Sequence, residues 1–409
     1  MRPSFITGID IGSSTIRCAV AQKSPSPEGL LQIIGLADTP SEGVFKGTIT
    51  SIEDTVSSLT ACLEKVERMT GNQVDQSFVG LGGPSVLAQL SKGVVAVSRA
   101  DKEIKSDDVG RVIEAAQAVA VPPNYEILHI LPRSYTIDNT PGIKDPVGMT
   151  GIRLEVEALI LEGLSSQINT FTRVVHRTGI EVSDVVLGPL ACAEALLTRR
   201  QKELGVALVN IGAATLSLLV FVEGDLVHAK IFPVGSSYIT SDIAIGLRIP
   251  IDLAEQIKTD YGVASSEAVQ KREEISFQDN SSEEGSFSRK YLAEIIEARL
   301  EEMCALVDGE LKKIGSSGLL PFGIVLTGGG SGLQGIIDVV KRELRLPVSC
   351  GLPKNINSAI DKINDPVFST AIGLAAWGKE FETQKQGHRQ AGFGQAGNAM
   401  KRFFKSLMP

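Results

Sequence analysis

Hydrophobic and polar positions divide the chain into alternating strand and helix signals from its first residues. FITGIDIGSSTIRCAVAQ reads as strand, tight glycine turn and strand, and GLLQIIGLADTP adds a third strand. EDTVSSLTACLEKVERMTG carries apolar residues at helical period. From about residue 76 to 163 the texture changes: QSFVGLGG, GVVAVSR, EILHILPRSYTID and RLEVEALILEG alternate as strands, and SDDVGRVIEAAQAVAV is predicted as a helix opened by a Ser/Asp cap. With its Pro/Gly-rich joints, such as NTPGIKDPVGMTG, this stretch reads as a compact insertion. A helix over LSSQINTFTRVVHRTG, a strand over IEVSDVVLG and one helix over PLACAEALLTRRQKELG follow.

GVALVNIGAATLSLLVFVEGDLVHAKIFPVG then repeats the opening order of strand, glycine turn and strand, so the chain is built as two related halves. Like halves can clasp a ligand where their loops converge. SSYITSDIAIGL, PIDLAEQIKTDYG and YLAEIIEARLEEMCALVDGELKKIG are predicted helices. Between the last two, KREEISFQDNSSEEGSFSRKY is a polar surface hairpin or excursion. PFGIVLTGGGSGLQGIIDVVKREL reads as strand, glycine turn and helix, PVFSTAIGLAAWGKEF as a helix, and EFETQKQGHRQAGFGQAGN as a polar linker to the tail GNAMKRFFKSLMP.

Bulk properties narrow the function without naming it. With 409 residues the chain needs two or more domains or one large bilobed body. A net charge of -8 and only 5 Tyr and 1 Trp argue against a nucleic-acid surface. No charged-then-apolar leader opens the sequence, so export is not expected. No apolar run approaches the length of a spanning helix. The 5 Cys and 4 His are scattered, which suits reduced, buried thiols rather than disulfides or zinc.

The candidate chemistry lies in glycine turns. Asp10, Gly12, Ser13, Ser14 and Thr15 end a buried strand, where backbone N–H groups and hydroxyls can receive phosphate oxygens. Asp10 suits a hydrated magnesium ion, which takes a carboxylate together with phosphate oxygens. The same turn also suits a plain hairpin. Gly328, Gly329 and Gly330 end a strand before a helix and let the backbone press on a flat ligand. Together with the turn at Gly212, they favour nucleotide binding far more than any one turn does alone.

The tail has its own logic. On a helix, Met400, Phe403, Phe404, Leu407 and Met408 fall within about 140° of arc, with Lys401, Arg402 and Lys405 on the other side. An apolar face flanked by cations reads as an interfacial anchor on anionic lipid. Docking on the protein's own surface is the alternative. Burial of the apolar residues and the entropy of ordering them nearly offset, so one tail binds weakly and many gathered on a polymer bind firmly.

Five motifs resemble the bacterial cell-division FtsA family, an actin-like branch of the sugar kinase, Hsp70 and actin superfamily. They are GIDIGSST, LVNIGAAT, FPVGSSYITSDIAIGL followed by AEQIKTDYG, IVLTGGGSGLQGI and DPVFSTAIGLAAWG. The resemblance covers nearly the whole chain and implies an α/β, actin-like bilobed fold of duplicated ribonuclease H-like halves, with an inserted subdomain and a C-terminal amphipathic helix. The expected map is a first lobe over 1–75, the insertion over 76–163, a return to the first lobe over 164–204, a second lobe over 205–379 with a helical part at 250–320, a linker over 380–397 and the membrane helix over 398–409.

The resemblance further implies ATP with Mg2+ between the lobes. Its phosphates would lie near Gly12 to Thr15, Gly212, Ala213 and Gly235, and its adenosine near Glu255, Lys258 and Gly328 to Gly330. Glu255 and Lys258, at i and i+3, also suit a surface ion pair. Active relatives carry Asp where this chain has Asn210, and a water-orienting Gln or Glu where it offers Gly188 before Pro189. Slow or absent hydrolysis follows, and no catalytic base is named. The implied partners are the tubulin-like ring protein FtsZ through its C-terminal peptide, further copies of the chain in a filament, other division proteins and anionic lipid at the cytoplasmic face of the division site, with no nucleic acid. The weighed alternatives are an actin-like type IV pilus assembly protein, which would not need the tail, and a small-molecule kinase, which needs an Asp or Glu beside the acceptor hydroxyl.

Overall fold

The computed structural model describes residues 5–23, 30–98, 100–118, 121–270, 272–278 and 284–390. Residues 391–409 lie outside them, and with them the tail positions Met400, Lys401, Arg402, Phe403, Phe404, Lys405, Leu407 and Met408.

The chain opens on an antiparallel hairpin, β1 (Phe5–Ile11) and β2 (Thr15–Gln22), whose register sets Asp10 opposite Arg17. β3 (Leu31–Pro40) adds antiparallel to β2. A small hairpin, β4 (Val44–Phe45) and β5 (Thr48–Ile49), leads into α1 (Ile52–Thr70), and β6 (Gln76–Leu81) then joins β1 in parallel. Ser51 caps α1 by accepting from the Asp54 N–H, and Gly71 ends it in the left-handed region, as helix-end chemistry prefers.

The insertion is a sheet of β7 (Leu87–Ala96), β8 (Tyr125–Ile137), β9 (Thr140–Ile143) and β10 (Arg153–Leu164), ordered β7-β10-β8-β9, with α2 (Ser106–Gln117) on one face. Strict alternation explains the packing. Leu154, Val156 and Ala158 of β10 join Val112, Ile113 and Ala116 of α2 in a core of their own. Glu155 and Glu157 face the other way and pair with Arg153, Arg133 and Lys92. The expected Ser cap of α2 is corrected: Ser106 is already helical, and Asp108 closes the turn by accepting from the Lys105 N–H at 3.0 Å.

Within β10, Glu162 is fully buried; Gln89 Nε2 donates to its Oε1 at 2.6 Å, and Oε2 has no hydrogen-bond partner. Burial raises the carboxyl's pKa, and the Gln89 bond opposes the rise. The folded chain therefore holds this proton where the unfolded chain has released it. Its contribution to stability is full below the ordinary carboxylate range and declines as pH rises through the raised value. Glu162→Gln removes that decline. Urea unfolding should show the variant gaining on the parent between pH 5 and pH 8; an equal difference at both would contradict it.

After α3 (Ser165–Arg177), β11 (Glu181–Leu187) pairs in parallel with β6. The single helix expected over PLACAEALLTRRQKELG is two, α4 (Gly188–Leu196) and α5 (Arg199–Leu204). Leu197 turns extended between them, and Thr198 starts the second by accepting from the Gln201 N–H while the Gln201 side chain returns the bond.

The second sheet repeats the first. β12 (Val206–Ile211), β13 (Leu216–Val222) and β14 (Asp225–Phe232) are antiparallel, and β17 (Ile324–Thr327) and β18 (Val348–Cys350) extend β12 in parallel. Its order, β14-β13-β12-β17-β18, matches β3-β2-β1-β6-β11 strand for strand. α6 (Ser236–Leu247), α7 (Ile251–Tyr261), α8 (Arg289–Lys313) and α9 (Ile336–Leu344) belong to this half, and β15 (Glu274–Gln278) with β16 (Glu284–Ser288) forms the hairpin before α8.

The second lobe does not run to 379. β19 (Ile356–Ser358) pairs in parallel with β3, and α10 (Ser369–Gln390) packs on β1. Ala371, Leu374 and Trp377 are buried in the core that holds Ile6, Ile9 and Val79. Gly373 permits this seat, since a Cβ there would lie 2.2 Å from the Ala191 carbonyl oxygen. Nor is 380–397 a linker from its start, because α10 runs to Gln390. Glu, Gln, Lys and Arg dominate that stretch and favour helix, with Gly387 as its weakest former.

Candidate functional site

Because the two sheets share one topology, each presents the turn after its central strand to the same space. A cleft of about 630 Å³ lies between them. Asp10, Gly12, Ser13 and Ser14 of the first half line it, as do Asn210, Gly212, Ala213, Glu255, Lys258, Gly328, Gly329 and Gly330 of the second. Two expected residues are not on its walls. Thr15 begins β2, its hydroxyl 3.3 Å from that of Ser14. Gly235 lies behind the second turn, where a Cβ would meet the Ala213 oxygen at 2.5 Å.

The turns brace one another. Ser236 and Ser237, which open α6, donate backbone N–H groups to the oxygens of Gly212 and Ala213 at 2.9 and 2.8 Å. Gly328 has φ +83°, and a Cβ there would sit 2.2 Å from Asn210 Oδ1, so only glycine lets this loop lie against the second turn. Thr327 Oγ1 donates to Ser369 Oγ at 2.8 Å, tying the same loop to α10. From the first lobe, the Gly47 N–H donates to Ser13 Oγ at 2.8 Å.

Charge in the cleft is sparse. Burial pushes the Asp10 carboxyl above its ordinary range, and Arg17 opposes that rise. Lys258 and Glu255 form an ion pair at 2.6 Å, and Thr240 bridges them, its hydroxyl accepting from Lys258 Nζ at 2.8 Å and donating to Glu255. The i, i+3 pair expected from sequence is thus real and also faces the cleft, with Glu255 about half exposed (52%) and free to meet a ligand. Gly188 and Pro189 line the cleft at the start of α4, while Glu194 is bound to Lys202 at 2.8 Å. No group of three metal-ligating side chains occurs among the described residues, so a divalent ion held at Asp10 would depend on phosphate oxygens and water for its other ligands.

Sequence reasoning missed Arg17, Gly47, Gly262, Leu333 and Gln334, all on the cleft wall. The hairpin register could have flagged Arg17, seven positions after Asp10 and directly opposite it. Gly47 carried no local signal, because its contact spans 34 positions.

Two sheets of one topology, set about a cleft where glycine turns from both halves meet, define a bilobed protein of actin-like fold. Residues 207–373 match the family model for Cell division protein FtsA, and residues 83–161 match the SHS2 domain inserted in FTSA. The chain is 36% identical to the cell division protein FtsA of Pseudomonas aeruginosa, covering 91% of this chain and 89% of that protein. It is 37% identical to that of Bacillus subtilis, covering 90% and 81%. The chain belongs to the FtsA family and is an actin-like protein of bacterial cell division.

Among solved structures, a PilM-PilN type IV pilus biogenesis complex superimposes with TM-score 0.67 at 15% identity, covering 91% of this chain and 98% of that one. MreB5 of Spiroplasma citri bound to ADP gives 0.56 at 13%, covering 95% and 99%. At these identities the shared property is the fold. The pilus-protein alternative has only that likeness, against more than a third identity to FtsA relatives. No helix among the described residues is long and apolar enough to cross a membrane.

Proposed function

We propose that this chain binds ATP with magnesium between its lobes, assembles into filaments, and ties FtsZ to the cytoplasmic face of the membrane during division. The observation that carries this reading is the convergence of three glycine turns from duplicated halves on one cleft, in a chain of the FtsA family. Gly12, Ser13, Ser14, Gly212 and Ala213 would serve the phosphates, with Thr15 at the start of β2 and Gly235 supporting the two turns from behind. Asp10 would hold a hydrated magnesium ion. Glu255, Lys258 and Gly328 to Gly330 would serve the adenosine. The donor set fits: backbone N–H groups and hydroxyls for phosphate, one carboxylate for the metal, and a glycine wall without side chains.

When bound, the nucleotide supplies a ligand common to both lobes, and a ligand with greater affinity for the closed arrangement raises its population. The family resemblance sets Asn210 and Gly188 at the positions of a charged and a water-orienting group, and on that reading turnover is slow or absent and the nucleotide acts through binding. The tail residues Met400, Lys401, Arg402, Phe403, Phe404, Lys405, Leu407 and Met408 serve as the lipid anchor. The insertion serves partner and polymer contacts, and the helical part near 250–320 receives the FtsZ peptide. FtsZ captured on the immobilised chain should be lost when its C-terminal peptide is deleted. Capture at undiminished affinity without the peptide would defeat the proposed contact.

A further inference from the structure

The β4–β5 hairpin reaches from the first half of the molecule to the second. Its turn is Lys46 and Gly47, both at positive φ (+48° and +76°), the conformation that folds a short hairpin back on itself. Val44 roots it in the core of the first half. On that side the tip is held twice: the Gly47 N–H donates to Ser13 Oγ at 2.8 Å, and Gln167 Nε2 of α3 donates to Thr48 Oγ1 at 3.0 Å. On the other side a Cβ at Gly47 would lie 3.5 Å from Thr215 Cγ2 of the second turn, so the tip sits between the two turns.

Lys46 carries the contact across. Its Nζ lies 5.4 Å from the centre of the Tyr238 ring on α6, and 5.4 Å from that of its neighbour Phe45. Tyr238 is steadied by its own half: the Arg299 guanidinium lies 5.8 Å from the ring centre and is fixed by Asp242, Nε donating to Oδ2 at 2.6 Å and Nη2 to Oδ1 at 2.8 Å. A cation over an aromatic face is attracted by the negative face of the ring. Gly47 lines the cleft, whereas Lys46 and Tyr238 do not, and Lys46 is exposed. The contact therefore joins the halves at the edge of the cleft without lining the space inside.

We infer that the β4–β5 hairpin is a strap over the cleft, and that its Lys46–Tyr238 contact must break for the nucleotide to enter or leave. The inference rests on the reading of the cleft as an ATP site. Such a strap sets rates and not affinity. Neither side chain reaches the ligand, so weakening the contact opens the empty and the loaded cleft alike: association and release quicken by one factor, and the dissociation constant stays where it was. A cation–ring contact at an exposed position is weak, so the strap slows exchange by a small factor and does not lock the nucleotide in.

The test is stopped-flow association of a fluorescent ATP analogue, and its release into excess ATP, with magnesium throughout. The proteins compared are the intact chain, K46N, Y238A, the variant carrying both changes, K46R and Y238F, with circular dichroism as a check on folding. Asn suits the positive φ of position 46, so K46N removes the cation and keeps the turn; it carries the test if Y238A fails to fold. K46N and Y238A should each raise both rates about 2 to 5-fold and leave the dissociation constant within about 2-fold of the parent. The double variant should be no faster than either single one, because both changes remove the same contact. K46R and Y238F keep the cation and the ring and should exchange as the parent does. Release that quickens without association would make the contact part of the grip on the ligand and overturn the inference, as would unchanged rates in K46N or gains that multiply in the double variant. Failure of the intact chain to bind the analogue would instead remove the ATP reading itself.

Discussion

Gly328→Ala is expected to abolish useful nucleotide binding while leaving the insertion intact. At φ +83° and ψ 166° the residue occupies backbone space open in practice to glycine alone, and an alanine there costs about 1 to 3 kcal/mol. The added Cβ would also stand 2.2 Å from Asn210 Oδ1 and 2.6 Å from the Ile211 oxygen, so the loop must lift away from the second turn. Three turns that no longer meet cannot grip one ligand. Affinity for ATP should fall by roughly 100-fold, about 2.7 kcal/mol. The control lies four residues on: a Cβ at Gly332 meets nothing within 4 Å, and Gly332→Ala should leave stability within about 0.5 kcal/mol of the parent. ATP titration and urea unfolding of both variants check the pair, and equal behaviour would show that the close approach at Gly328 does not matter.

Removing residues 397–409 is expected to bring co-sedimentation with anionic vesicles to background. The segment carries five large apolar residues and three cations, so its loss removes both the insertion into lipid and the attraction to the headgroups. Each tail alone binds weakly. Gathering tails on one polymer multiplies attachment by about 10² to 10⁴ without any new contact, and the truncation forfeits that gain as well. Phe403→Glu should reproduce most of the loss, and added salt should weaken the intact chain by screening its cations. Retention of the truncated chain on vesicles would place the anchor elsewhere.

The features legible in the sequence are local or repeated. GIDIGSST and LVNIGAAT announce the same hairpin twice, and the structure places them at equivalent positions of two matching sheets. The glycine wall at 328 to 330 was legible because three successive glycines between strand and helix have few structural uses. What stayed hidden depends on distant pairing. β19 joins β3 through partners such as Ser358 and Ile33, 325 positions apart, so no window of sequence shows that the chain returns to its first lobe. α10 looked like the close of the second half, yet its buried face is fixed by β1 and α4. Arg17 reads as one more polar strand position until the register sets it beside Asp10. The break at Leu197 lies in a run of good helix formers, and only the reciprocal Thr198 and Gln201 bonds reveal a second start.

Nucleotide in the cleft governs attachment at the tail. The most direct test of this coupling is co-sedimentation of the intact chain with anionic vesicles, with and without Mg-ATP, beside the Gly328→Ala variant. ATP should increase pelleting of the intact chain and leave the variant unchanged. Pelleting of the intact chain that is the same with and without saturating ATP would contradict it.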